Sequence, residues 1–485
     1  MNLFEWSRVR QPADAVDLRQ PGALYSLLDT YGEASPQVLQ AVLGQAFTLG
    51  AQTAIVEYRY LDADYRNEHS RFYSTTFRRY ASAAHRLHFF AAPIPPELFS
   101  PDHPARFHRL GYLGYTVLRP VPAAPIGRTM LAPPPNLSGH VTCCTRDQVN
   151  LLGEPLEITA APFIAQDAQL SRCAQAALWV TAYYHHLTHG TPRLLPGDIA
   201  AAVPAELALS RPVPAEGLSV FQLSAAATRI GLPALVYKLD DLPPDESLPR
   251  IACRYLNSAL PVIVAGGGHA FVLVGYRRVD PGTPQERIHF IRHDDEVGPY
   301  QVVENFLLDD YSPWQYLIVP LPAKVYLSGE KAEVLGAARL TTSSADSASP
   351  TARKLHAAIT AHEVSFRSTA LKSNAFKTGL ERRGVPEPVA SIYRRMPMSH
   401  WIWVVEATDR AARDRGDPCV LAEAIIDATD HLRDLHVLAW RVPGELVQWD
   451  PDEDRLSRGL LAAVPPLGSV ARGPADAQAL SHADV

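Results

Sequence analysis

The sequence predicts an α+β protein of about three domains, and three observations carry that prediction. The chain has 485 residues, too many for a single core. Apolar runs of strand character (AIVEYRY at 54–60, LPVIVA at 260–265, WIWVVEAT at 401–408) are separated by stretches of helical period. In the middle third, a helix group precedes a run of strands instead of alternating with it, as a parallel sheet would require.

Residues 1–137 form the first expected domain, a mixed α/β unit of unknown role. A helix is expected near 35–49, a strand at 54–60, and a charged aromatic helix, YRNEHSRFYSTTFRRYA, over 65–81. Two strands follow, RLHFF at 86–90 and GYLGYTVLRP at 111–120. The proline-rich stretch 120–135 reads as a linker or extended crossing. Around the aromatic helix, Tyr58, Arg59, Tyr60, Tyr65, Arg66, Arg71, Tyr73, Arg78 and Arg79 mix basic and aromatic side chains. That mixture suits an exposed helix whose arginine stems lie along apolar surface.

Residues 138–328 form the second domain. A helix begins at Cys173 and stops at Gly190 and Pro192, a second spans about 220–229, and strands follow at 231–239, 260–265, 269–276, 287–293 and 314–321. Residues 329–352 are expected to be a linker, on the small polar run Thr341–Pro350. A compact α+β domain over 353–463 and a disordered tail over 464–485 complete the chain. In that last domain Glu406, Asp409, Glu423 and Asp427 flank apolar strands and read as solvated edges.

Composition narrows the function. Hydrophobic residues make up 47% and charged residues 20%, with a net charge of −6, as in a globular protein without the basic bias of a nucleic-acid binder. The five cysteines are too few and too scattered for a secreted disulfide framework. The adjacent Cys143 and Cys144 lack zinc-ligand spacing. The first twenty residues hold no apolar core of signal-peptide length, and the longest apolar run, 260–276, is broken by three glycines and a histidine. A reduced, cytoplasmic protein with no membrane partner is expected, and the Ala, Arg and Pro usage suggests a bacterial source. No cofactor motif occurs. His185, His186 and His189 fall in the last turns of a helix, where they complement its dipole, so no metal is expected.

The chemistry gathers at a few residues. Cys173 opens a helix, where the dipole and the unpaired amides both favour a thiolate. His269 follows three glycines and opens an apolar strand, so it can face a cleft while the strand stays buried. A thiol nucleophile needs such an imidazole within hydrogen-bond reach. Asp294 and Asp295 follow a strand ending at His293, and either could orient the imidazole. Gln166 and Gln169 both precede the cysteine and could donate to an oxyanion. Gln166 is expected to close the strand-like run LEITAAPFIAQ.

Taken in order, PFIAQ at 162–166, CAQAALWV at 173–180, GLSVFQLSAAATRIGLPALVY at 217–237, LPVIVAGGGHAFVLVGY at 260–276 and DDEVG at 294–298 make a series. This series resembles the papain-like cysteine peptidases that process double-glycine bacteriocin leaders. The resemblance implies a papain-like central domain, with a nucleophile-bearing helix packed on an antiparallel sheet. It makes Cys173 the nucleophile, His269 the base, Asp294 the orienting carboxylate (by its distance to Gly298) and Gln166 the oxyanion donor. The chain departs from the pattern at Ala174, where relatives carry glycine, and in a Gln166–Cys173 spacing one residue longer. It has no nucleotide loop and no membrane-spanning set, so it is not an exporter. The expected function is a cysteine peptidase acting on a peptide or protein, with flanking domains that select substrate or receive an activating partner. Transglutaminase- or deamidase-like acyl transfer on the same triad, or binding by an inert peptidase fold, are the alternatives.

Overall fold

A computed structural model describes residues 13–20, 22–23, 36–94, 107–122, 124–167, 172–203, 218–244, 246–281, 283, 286–304, 314–429, 437–450, 455–461 and 464–470. The architecture is α+β with antiparallel sheets, in line with the expected class. The chain forms two compact units instead of three serial domains. The first comprises residues up to 242 with 261–275 and 289–320, and the second 243–260, 276–288 and 321 onward.

Unit one begins with a five-stranded sheet in sequential order: β1 (Ala13–Asp17), β2 (Thr53–Tyr60), β3 (Ala84–Phe90), β4 (Tyr112–Leu118) and β5 (Ile126–Leu131). Helix α1 (Pro36–Thr48) carries Val38, Leu39, Val42, Leu43 and Ala46 on one face, and these pack on Ala54, Val56, Leu87 and Phe89. Phe163 and Ala165 enter the same core, which is why the N-terminal region and the approach to Cys173 fold as one unit. The proline-rich stretch is not a linker. It contains β5, whose six residues are all buried, and its prolines flank that strand without interrupting the ladder.

The helix expected over 65–81 is shorter and more buried on one face than expected. Helix α2 (Ala63–Arg71) is capped by Asp62 and gives way to a short turn at Tyr73–Thr75, and Asp64, Tyr65, Glu68 and Tyr73 are buried. Tyr65 and Tyr73 face inward, whereas Arg59, Arg66, Arg71, Arg78 and Arg79 are exposed, as expected. Arg119 pairs with Glu68 at 3.1 Å and Arg128 with Asp62 at 2.9 Å, all four side chains almost wholly buried.

Next come the hairpin β6 (Thr145–Leu151) and β7 (Glu154–Ala160), then α3 (Cys173–His189), α4 (Pro196–Ala202) and α5 (Val220–Arg229). The six-stranded sheet comprises β8 (Ala234–Lys238), β9 (Val262–Gly266), β10 (His269–Val279), β11 (Arg287–Asp294), β12 (Gly298–Val303) and β13 (Tyr316–Pro320), ordered β12-β11-β10-β9-β13-β8. Helix α3 is buried along most of its length, with Trp179 and Tyr184 among the largest enclosed side chains.

Unit two contains α6 (Leu248–Asn257), α7 (Gly329–Asp346), α8 (Pro350–Thr360), α9 (Ser373–Thr378), α10 (Glu387–Arg395) and α11 (Arg410–Arg415). Its sheet is a meander of β14 (Val364–Lys372), β15 (Trp401–Asp409), β16 (Val420–Asp427), β17 (Val437–Val442), β18 (Glu445–Asp450) and β19 (Arg455–Leu460). The expected linker 329–352 is instead helix α7 and the start of α8. Its small residues are the reason: Ala332, Gly336, Leu340 and Ser344 recur every fourth position and make a buried stripe. Part of the expected disordered tail is packed as well. Leu467 is fully buried and bridges Val420, while residues 471–485 lie outside the described residues.

Glu406 and Glu423 are not solvated edges. They stand opposite each other on β15 and β16, fully buried, and Arg383 binds both. Arg441 and the Tyr393 hydroxyl complete the shell of Glu423. Burial raises Glu423, but Arg383 and Arg441 outweigh it and hold the carboxyl down at about 2. Asp409 caps α11 and Asp427 accepts from Thr429. Among the described residues, no helix is long and apolar enough to cross a membrane.

Candidate active site

The first residue of α3 is Cys173, half-buried. Helix start is fixed locally: the Gln175 side chain accepts from the Arg172 N–H at 2.9 Å, so the chain turns into the helix just before the cysteine. A residue in that position has no intrahelical acceptor for its own N–H.

His269 reaches the same place by a different local rule. Residues Gly266 and His269 are paired across β9 and β10, leaving Gly267 and Gly268 as a two-residue turn with φ of 58° and 84°. Two consecutive positive φ angles define the tight hairpin turn that matches strand twist. His269 is therefore the first residue of its strand and is held rigidly. Its Nε2 lies 3.1 Å from Asp294 Oδ1, and the ring is within hydrogen-bonding reach of the Cys173 thiol. With Nε2 on the carboxylate, Nδ1 is the nitrogen left for sulfur.

Asp294 ends β11 at an irregularity in its pairing with β12, opposite Gly298. Gly298 has φ 132°, and a Cβ there would come within 2.5 Å of the Ala41 Cβ, so only glycine lets the strand return this close to α1. Asp294 also accepts from the Glu296 N–H at 3.1 Å and lies 3.5 Å from the Arg292 guanidinium.

Asp295 lies beside the pair. It is buried beside Phe163, Ala176, Val180 and Ala270 in a small cavity, and its Oδ2 has no hydrogen-bond partner. Burial pushes its carboxyl up to about 8, with Asp294 and Glu296 adding to the rise and His269 opposing it. Burial alone would lower His269. The hydrogen bonds to Asp294 and Cys173 and the charge of Asp294 overcome it, with Asp295 adding where it ionises, and the imidazole is raised to about 10. Around neutral pH His269 is therefore an imidazolium, and Asp295 holds its proton up to about pH 8.

Gln166 does not close a strand. β7 ends at Ala160, and Gln166 follows in an irregular segment pinned by the Thr129–Phe163 bridge and by His293, whose Nδ1 lies 2.8 Å from the Pro162 carbonyl. Its side-chain amide donates to Glu296 at 2.8 Å. That joins Gln166 through Glu296 to Asp294. Gln169 lies outside the described residues.

The sequence reading missed the groups that hold this segment. The buried Arg119 guanidinium donates to the carbonyls of Ala165 at 3.1 Å and Gln166 at 3.4 Å while paired with Glu68. Next along, Asp167 accepts from the Tyr73 hydroxyl at 2.8 Å. An arginine closing the apolar run GYLGYTVL, and a glutamate three residues after Tyr65, were the available signals.

His269, Asp294 and Asp295 could each offer one ligand atom to a metal ion, these atoms lying within 4.8 Å of one another. Such an ion would take His269 Nε2 from Asp294 and require Asp295 to ionise. His185 sits apart from this group, fully buried, and burial lowers it to about 4. No family model matches the chain, and no curated protein does either.

Proposed function

We propose that the chain is a papain-like cysteine hydrolase, and that its reaction is peptide-bond cleavage through a thioester on Cys173. The observation that supports the reading most is the meeting of three side chains from separate elements. Cys173 at the start of α3 and Asp294 at the end of β11 both reach His269 at the start of β10. A thiol, an imidazole and a carboxylate in that sequence form a nucleophile, a base and an orienting group.

In the proposed reaction Cys173 attacks the carbonyl carbon as a thiolate beside the His269 imidazolium, and the carbonyl electron pair moves to oxygen. The backbone N–H of Cys173, free of intrahelical bonding, faces this developing charge, and Gln166 contributes its second amide N–H. His269 then gives its proton to the departing amine as the C–N bond breaks. Water, deprotonated by the same imidazole, attacks the thioester carbonyl, the C–S bond breaks, and the acid leaves with the thiolate–imidazolium pair restored. Asp294 keeps the ring turned with Nδ1 toward sulfur.

The test is incubation of the full chain with a mixed peptide pool, following new α-amino groups and released ammonia. New amino groups that vanish in Cys173→Ser and His269→Ala support peptidase action. Ammonia or crosslinks without chain cleavage would move the assignment to acyl transfer. Neither product, with no thioester trapped at Cys173, would sink the hydrolase reading.

A further inference from the structure

Unit two holds a cavity of about 420 Å3 that the proposed chemistry does not use, lined by α6, the 276–288 segment, β14 and α11. Six arginines line it against three carboxylates, and Glu246, Glu330 and Asp417 outside the lining pair with Arg254 and Arg415. The carboxylates are already engaged. Glu286 and Asp414 each bind Arg278 at 2.7 Å, and Glu333 binds Arg254 at 3.1 Å.

Arg413 is less well matched. It donates to Ser365 Oγ at 3.0 Å and meets Asp414 at 3.5 Å, but its Nε is buried with no partner. Burial lowers its proton affinity, and the charges of Arg278 and Arg367 lower it further. The guanidinium groups converge on one region. Arg367, Arg254 and Arg278 all act on the Cys253 thiol, and Arg367, Arg278 and Arg413 on the Tyr276 phenol. Arg413 brings a third guanidinium beside Arg278 and Arg367 with only a 3.5 Å approach to Asp414, which favours an anion at that point.

We propose that this cavity binds a phosphorylated small molecule, its phosphate held by Arg413, Arg367 and Arg278 and its body against Tyr276 and Phe366. Arginine's planar fork matches phosphate oxygens two at a time. A doubly charged phosphate, with three free oxygens, can engage several guanidinium forks at once where a single carboxylate engages one. The volume falls within the range of small-ligand sites, roughly 300–1,000 Å3.

Calorimetric titration of the full chain with inorganic pyrophosphate, and separately with citrate at equal ionic strength, tests this. Pyrophosphate should bind once per chain and about tenfold or more tighter than citrate. Arg413→Gln and Arg367→Gln should each weaken it by about tenfold or more. Arg410→Gln, exposed on the same helix, should leave it unchanged. Arg413→Lys keeps the charge and loses the fork, so its weaker binding decides the matter should the glutamine variants not fold. No binding by the wild-type chain at millimolar pyrophosphate, citrate binding as tightly, or equal weakening by Arg410→Gln would overturn the proposal.

Discussion

Asp295 offers the sharpest quantitative test of the site. Its carboxyl is 6% exposed, lacks a partner for Oδ2, and is raised from 3.8 to about 8. In the unfolded chain it ionises near its ordinary value, so between pH 3.8 and 8 the native state binds the extra proton. Stability contributed by that proton is complete below 3.8, falls as pH rises, and is gone above 8. At ~1.4 kcal/mol per unit the whole window is worth on the order of 5 kcal/mol, and the span from pH 5 to 8 about 3 to 4. Asp295→Asn keeps the shape and removes the titration. Urea unfolding of both proteins from pH 5 to 9, read at constant m, gives the difference directly. The variant should gain about 3 kcal/mol on the wild type between pH 5 and 8 and then level off. A difference independent of pH, or one that shrinks with rising pH, would refute the buried, protonated Asp295.

Other consequences follow from the same contacts. The imidazolium of His269 is raised to about 10, so the proposed activity should fall as pH climbs through that value. Asp294→Asn removes the hydrogen-bonded charge that holds the proton, and its alkaline limb should sit lower by about 1 to 3 units in kcat/KM profiles. Arg119→Ala strands Glu68 and frees the carbonyls of Ala165 and Gln166. It should cost about 3 to 5 kcal/mol in denaturant unfolding, whereas Glu68→Gln in the Arg119→Met background should recover much of that loss. Truncation after Ala463 takes away Ser469 and Val470, two donors to the buried Glu406. It should lower stability by about 2 to 4 kcal/mol, measured by the same method.

Much of the site was legible because each of its residues obeys a local rule. Cysteine at a helix start, two glycines before His269 and a glycine four residues after Asp294 are all short-range signals, and each marks a turn the backbone must make. What could not be read was set by partners distant in sequence. The small residues of 332–344 look like a linker until a sheet is placed beneath them. Glu406 and Glu423 look solvated until Arg383 and Arg441 arrive from elsewhere in the chain. The arginines around α2 are exposed, as they look, but Tyr65, Tyr73 and the carboxylates of that helix are buried, and nothing nearby shows that Arg119 and Arg128 will pair with those carboxylates. Gln166 was expected at a strand end because the apolar run continues beyond Ala160. That run continues because Phe163 and Ala165 pack into the core under α1.

The most direct test of the account is the alkylation of the five cysteines by iodoacetamide, resolved by mass spectrometry at pH 6 and pH 8, in the wild type and in His269→Ala. Cys173 should react first of the five at pH 6, and the substitution should slow it by about tenfold or more while leaving the other four unchanged. Equal reactivity of Cys173 in the two proteins, no faster than the remaining cysteines, would contradict the proposed Cys173–His269 pair.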